Sequence, residues 1–140
     1  MKRTPIKKKS SNPRKILVGK LDRAFSIFIR QRNSVDGMNT CFTCGVIKPI
    51  KELHAGHFMV RQRMSTRWSE INAQPQCVSC NTFNAGRQAE FGIALDEKYG
   101  EGTARELIDK SYIGKKHSLD ELEALIAYYS SMIKERDENT

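Results

Sequence analysis

The sequence predicts a mainly helical α+β fold, with one long helix before a short-stranded, cysteine-rich middle and further helices after it. Two observations carry this: apolar residues recur at helical spacing at both ends of the chain, and that period vanishes between residues 38 and 80, which hold all four cysteines and the only tryptophan. With 140 residues, one hydrophobic core is the natural size. Only 39% of residues are hydrophobic against 29% charged, so the core is short of apolar material and a covalent or metal staple would help it.

Taking the elements in order, residues 1–11 are expected as a disordered basic arm because Lys, Ser and Pro there leave nothing to bury. Residues 12–140 are expected as one domain, with a core at 38–100 and C-terminal helices over 103–136. Asn12 followed by Pro13 reads as an N-cap and a first-turn proline. Leu17, Leu21, Ala24, Phe25 and Phe28 then mark one face of a helix over 13–32 that stops before Asp36-Gly37. A short alternating run around Leu53 to Val60 suggests a strand. Beyond Cys80, Phe91, Leu95 and Tyr99 share a helical face, and Ala104 to Tyr112 can form a second short helix. Ser118 with Glu121 makes a capping box for a last helix carrying Leu122, Leu125, Ile126, Tyr129 and Ile133. Its other face is acidic, so it repels nucleic acid and serves for packing or for a partner.

Cys41-Phe42-Thr43-Cys44 and Cys77-Val78-Ser79-Cys80 are two C-x-x-C pairs, the spacing with which two thiolates of one turn reach a tetrahedral zinc. Two pairs close the coordination shell and leave no position for water, so Cys41, Cys44, Cys77 and Cys80 point to a structural Zn²⁺. Redox chemistry is the alternative reading of such pairs, but it needs only one. Cys44 and Cys77 are separated by 32 residues, more than a simple zinc ribbon holds. A knuckle, a hairpin, a second knuckle and a helix describe a treble-clef finger with room for an insert.

Charge indicates the partner. The net charge is +8, and residues 1–32 hold eleven basic side chains against the single acid Asp22, leaving the remainder slightly acidic. Concentrated positive charge binds phosphate backbones through counterion release, which nominates Lys7, Lys8, Lys9, Arg14 and Lys15; a solubilising tail is the bland alternative. No stretch is apolar enough to span a bilayer and no secretory signal pattern follows the basic start, so a cytoplasmic location is expected.

Within the insert lie Leu53-His54-Ala55-Gly56-His57-Phe58, then Asn72-Ala73-Gln74-Pro75-Gln76-Cys77-Val78-Ser79-Cys80-Asn81. A Gly-His pair on a strand, an asparagine five residues before a cysteine, and C-x-x-C-N resemble the HNH, or ββα-metal, nucleases. More narrowly, A-G-H-F, R-W-x-x-x-N, Q-C-V-x-C-N, Gly86 and Tyr99-Gly100 resemble the NinG (Rap) recombination endonucleases of lambdoid phages, over residues 41–100 and loosely beyond.

The resemblance implies that His57 is the general base that activates water, a task suited to an imidazole titrating near neutrality. It implies that Asn81 holds a catalytic Mg²⁺ or Mn²⁺ through its amide oxygen, and that Asn72 ties the loop and orients the histidine. Many such enzymes carry an acidic ligand just before the base, where this chain has Gly56. His54 stands where an acid is expected in phage relatives, and is a candidate metal ligand or supporting group. Arg61, Arg63 and Arg67 follow the base and can clamp phosphates with forked hydrogen bonds. Trp68 reads as core. The resemblance further implies branched DNA such as Holliday junctions or displaced-strand intermediates as substrate, a homodimer that cuts paired strands, recombination proteins as partners, and a bacterial host cell as location. A non-catalytic zinc module that binds DNA or assists recombination is the second reading, and an RNA-binding zinc protein a third.

Overall fold

The computed structural model describes residues 2–5 and 12–138; Lys7, Lys8 and Lys9 of the expected basic arm lie outside the described residues. Helix α1 spans Pro13–Gln31, within a residue of the expected bounds. Its cap is the expected one, with Asn12 Oδ1 accepting from the Arg14 N–H at 3.0 Å and the Lys15 N–H at 3.4 Å. Leu21, Phe25 and Ile29 are buried on one face and meet Leu122 and Tyr129 of α4, Leu119–Glu138, in the main core, which also takes in Trp68 and Ala73. The Phe25 and Tyr129 rings pack edge to face with centroids 5.1 Å apart. The expected box starts α4, Ser118 Oγ accepting from the Glu121 N–H at 3.1 Å. Packing against α1 is therefore the first duty of α4, and its acidic side faces outward.

The middle segment is two small antiparallel hairpins. β1, Met38–Thr40, pairs with β2, Ile47–Pro49, and the first C-x-x-C forms the turn between them. Gly45, at φ +80°, closes that turn by donating its N–H to the Cys41 carbonyl at 3.0 Å. β3, Leu53–His57, pairs with β4, Ala73–Cys77, in a register running from Leu53↔Cys77 to His57↔Ala73. The strand expected over Leu53 to Val60 thus stops at His57; the last backbone link is the Phe58 N–H to the Asn72 carbonyl at 2.8 Å, after which residues 58–72 leave as a loop.

At Cys80 the chain makes a single π turn, Ser79–Phe83, before the expected helix bearing Phe91, Leu95 and Tyr99 begins. Ala85, Gly86 and Arg87 all take positive φ (50°, 82° and 47°), which ends the turn and re-aims the chain. α2, Gln88–Tyr99, and α3, Thr103–Ser111, follow. They bury Phe91, Leu95 and Leu107 with Phe58 in a second core. No described helix is long and apolar enough to cross a membrane.

Candidate functional site

The four cysteines converge. Their sulfurs all lie within 4.8 Å of one another, and Cys44 Sγ stands 3.7 Å from Cys77 Sγ. A disulfide requires about 2.05 Å, whereas a tetrahedron of thiolates about 2.3 Å from zinc has edges of about 3.8 Å. These spacings fit a four-sulfur zinc site. Cys41, Cys77 and Cys80 are buried while Cys44 is exposed. Burial pushes the Cys80 thiol up to about 12, while at Cys41 burial is outweighed by hydrogen bonds, first from Thr43, that bring it to about 6. Such a crowded set becomes all-thiolate only around a cation.

Beside this cage, α1, β3 and the π turn enclose an open cleft of about 620 Å³ whose walls include His54, His57 and Asn81. Three residues named from the sequence therefore share one cavity. β3 pairs only with β4 among the described strands, so its other edge is open to the cleft. Asn81 follows the ligand Cys80 directly, and β3 is registered on the cage through Leu53↔Cys77.

His57 lies half-buried against Phe25, ring centroids 6.3 Å apart. Its Nε2 is 2.9 Å from the Arg67 carbonyl. A carbonyl only accepts, so Nε2 donates to it and, in the neutral ring, Nδ1 carries the lone pair; the Ala55 carbonyl also faces the ring and, like that of Arg67, favours the protonated form. Burial, aided by the Arg61 charge and opposed by those carbonyls, holds the His57 pKa below its ordinary 6.5; the ring is neutral at pH 7.

Asn72 is not in the cleft. It is fully buried, accepts from the Met59 N–H at 2.8 Å through Oδ1, and donates from Nδ2 to the carbonyls of Met59 at 3.0 Å and Thr66 at 3.1 Å. It thereby pins the loop whose next carbonyl, that of Arg67, orients His57, which makes it a positioning residue. His54, expected as a metal ligand or a supporting group, touches Asn81. The Asn81 Nδ2 donates to His54 Nδ1 at 2.9 Å, so that lone pair is used and the imidazole braces the amide. Asn81 Oδ1 accepts no hydrogen bond among the described residues, which suits it to a cation.

Gly56 is covered by the end of the Gln76 side chain. A Cβ built there would stand 1.8 Å from Gln76 Oε1 and 2.6 Å from its Cδ. Gln76, fully buried, donates from Nε2 to Thr43 Oγ1 at 3.1 Å and to the Gly86 carbonyl at 3.0 Å, while its Oε1 has no hydrogen-bond partner.

Asp22 was not among the residues expected at the site. It lines the cleft from α1 and is the sole acid on its wall. Both oxygens are engaged: Oδ1 accepts from Arg67 Nε and Trp68 Nε1, each at 3.0 Å, and Oδ2 faces Arg67 Nη2 at 2.5 Å. Arg67 is thus an internal strut, its side chain 15% exposed, and does not stand free for phosphate as expected. Arg14 is likewise spent on the His117 carbonyl, and Arg63 lies over the Tyr112 ring at 4.4 Å. Lys15 is exposed on α1. Arg61, its side chain 58% exposed, stands on the cleft rim 3.7 Å from Asp22 Oδ2, joined there by Lys51 and by Arg30, whose guanidinium donates to the Ser26 and Ile50 carbonyls; neither Lys51 nor Arg30 was expected in this role. The signal for Asp22 was its position as a lone acid beside the apolar stripe of α1. Asp22→Ala is expected to leave Arg67 uncompensated and to cost roughly 3 kcal/mol; urea unfolding measures it, and a loss under about 1 kcal/mol would contradict the strut.

No match was found among curated proteins or among solved structures. The family model described as Bacteriophage Lambda NinG protein matches residues 2–139. The match spans almost the whole chain, and the protein belongs to the NinG family.

Proposed function

We propose that the protein is a metal-dependent DNA endonuclease of phage recombination acting on branched DNA. The observation that carries this reading is the cleft in which His57, with Nδ1 unprotonated, faces the same cavity as Asn81 and the basic side chains Arg30, Lys51 and Arg61. The β3–β4 hairpin followed by the short turn bearing Asn81 is consistent with a ββα-metal, treble-clef core in which zinc fixes both halves of the site.

His57 Nδ1 takes a proton from the attacking water, and the basic rim holds the phosphodiester. Asn81 Oδ1, steadied by His54, would hold a Mg²⁺ or Mn²⁺ ion, which supplies charge stabilisation to the phosphate and the departing oxygen when bound. Asn72 and Asp22 act at one remove by fixing the loop and Arg67. Family membership supports a phage-recombination setting; a bacterial cell as location and a homodimer or recombination proteins as partners are part of the same proposal.

Incubating labelled four-way junction and linear duplex DNA with the zinc-loaded protein and Mg²⁺ or Mn²⁺ is expected to give cleavage of the junction in preference to the duplex. Absence of cutting with either ion would refute the enzyme. One observation favours a second reading, a non-catalytic DNA-binding zinc module: the cleft's one carboxylate, Asp22, is consumed by Arg67 and Trp68. That reading predicts salt-sensitive binding without any divalent-ion requirement.

A further inference from the structure

We propose that an apolar groove beside the cleft takes an unstacked nucleobase, so that the protein reads a branch point through a displaced base whose phosphate lies in the cleft. The inference rests on the reading above for DNA in the cleft, and assigns the surface that separates branched from linear substrate.

The groove is walled by the loop after β3 and by α2 and α3, and encloses about 800 Å³, within the usual range for a small-ligand site. Val60, Ala85 and Gln88 line both the groove and the cleft, so the two spaces share a border. Around Val60 the loop divides between them: Phe58 and Met59 line the groove, whereas Arg61 and Gln62 line the cleft. A base is joined to its own phosphate through a single sugar, so adjoining spaces can hold the two ends of one nucleotide.

Charge separates the two spaces. Arg30, Lys51 and Arg61 line the cleft, and its one carboxylate, Asp22, is engaged by Arg67. Among the described residues no lysine or arginine lines the groove; its one charged group is Asp96, whose Oδ1 accepts from the Ala104 N–H at 2.9 Å. A phosphate is therefore drawn to the cleft and repelled from the groove, while a neutral ring is free to enter it. Small side chains at Ala89, Gly92 and Ala104 leave room, and Ile93 and Tyr112, 62% and 66% exposed, offer apolar contact from α2 and from the end of α3. The Arg63 guanidinium stands over the Tyr112 ring at 4.4 Å, which steadies an aromatic surface of the kind on which bases stack. In linear duplex every base is paired and stacked, and the cost of displacing one is least where it is already unpaired, as at a strand crossing. The groove thus favours branched DNA.

The test measures the affinity of the full-length, zinc-loaded protein for a four-way junction and for linear duplex, without added Mg²⁺ or Mn²⁺ so that binding is read apart from cutting. Tyr112→Ala, which removes the ring, and Ala89→Trp, which fills the groove, are each expected to lower the preference for the junction by about tenfold. Tyr112→Phe, which keeps the ring, is expected to retain it. An abasic site moved along the strands at the branch is expected to weaken wild-type binding by a similar factor at one position, with no further loss there for Tyr112→Ala. A side chain that only supports the fold would show no such dependence on one base. Zinc content and the thermal transition establish that each variant is folded; where Tyr112→Ala loses either, Ala89→Trp and the abasic scan on wild type decide. Wild type without junction preference, folded variants with a preference within about twofold of wild type, or a scan without a sensitive position would each overturn the assignment, the second leaving the groove to a protein segment. Junction cleavage by the wild type with Mg²⁺ or Mn²⁺, measured in parallel, separates the two readings: cutting with preference unaltered in the variants removes the groove alone, whereas variant-sensitive preference without cutting removes the nuclease and keeps the groove.

Discussion

Removing zinc, by a strong chelator or by Cys80→Ser, is expected to unfold the middle of the protein and abolish every activity of the cleft. The buried cluster around the cage consists of Cys41, Cys77 and Cys80 with Leu53 alone, and β1 and β2 are three residues each. Hairpins so short are not stable by themselves. Structural zinc contributes on the order of 10 kcal/mol to folding a small domain, comparable to the entire net stability of a typical protein. No packing in this region can offset its loss. Circular dichroism and zinc content, followed together, are expected to fall in parallel; a native spectrum from metal-free protein would contradict the assignment. Because α1 and α4 bury their own core, residual helix is expected to survive.

His57→Ala is expected to lower cleavage by roughly 10²- to 10⁴-fold, the usual contribution of a positioned general base, while DNA affinity changes little, since the basic rim is untouched. Retained cutting in the folded variant would remove His57 from the chemistry. The pH dependence follows from the same side chain. Burial lowers its pKa below 6.5, so the neutral, base-competent form persists into mildly acidic solution and the rate is expected to fall only as pH drops through that lowered value. The sign for stability is the same. Below 6.5 the unfolded chain binds a proton that the folded chain refuses, so the contribution of His57 is complete above 6.5 and is lost as pH falls through the folded pKa. A rate limb centred above 6.5 would show that another group titrates.

Elements whose cause is local were legible in the chain. Asn12-Pro13 set the start of α1, the Ser118–Glu121 box set the start of α4, and cysteine spacing sufficed to bring four sulfurs together. β4 was missed because Ala-Gln-Pro-Gln-Cys shows no alternation: all five residues are buried, and its two glutamines donate to distant groups such as Tyr99 and Gly86. The π turn was missed because what ends it is a run of positive φ that only Gly86 announces. In the candidate site, His54, His57 and Asn81 were found because their identity and order carry the signal. Asp22 was not, since it takes its meaning from a partner far along the chain, Arg67. Arg67 was assigned to phosphate for the same reason, as nothing near it in sequence reveals Asp22.

The left-handed run at Ala85–Arg87 costs on the order of 1 kcal/mol at each non-glycine position, yet it uncouples two parts of the molecule. Were the turn bearing Asn81 continuous with α2, any re-angling of α2 on α3 would be transmitted to the cleft as a lever transmits a push. Broken here, the turn bearing Asn81 takes its alignment from Cys80 and the sulfur cage, while α2 meets the cleft separately, through Gln88.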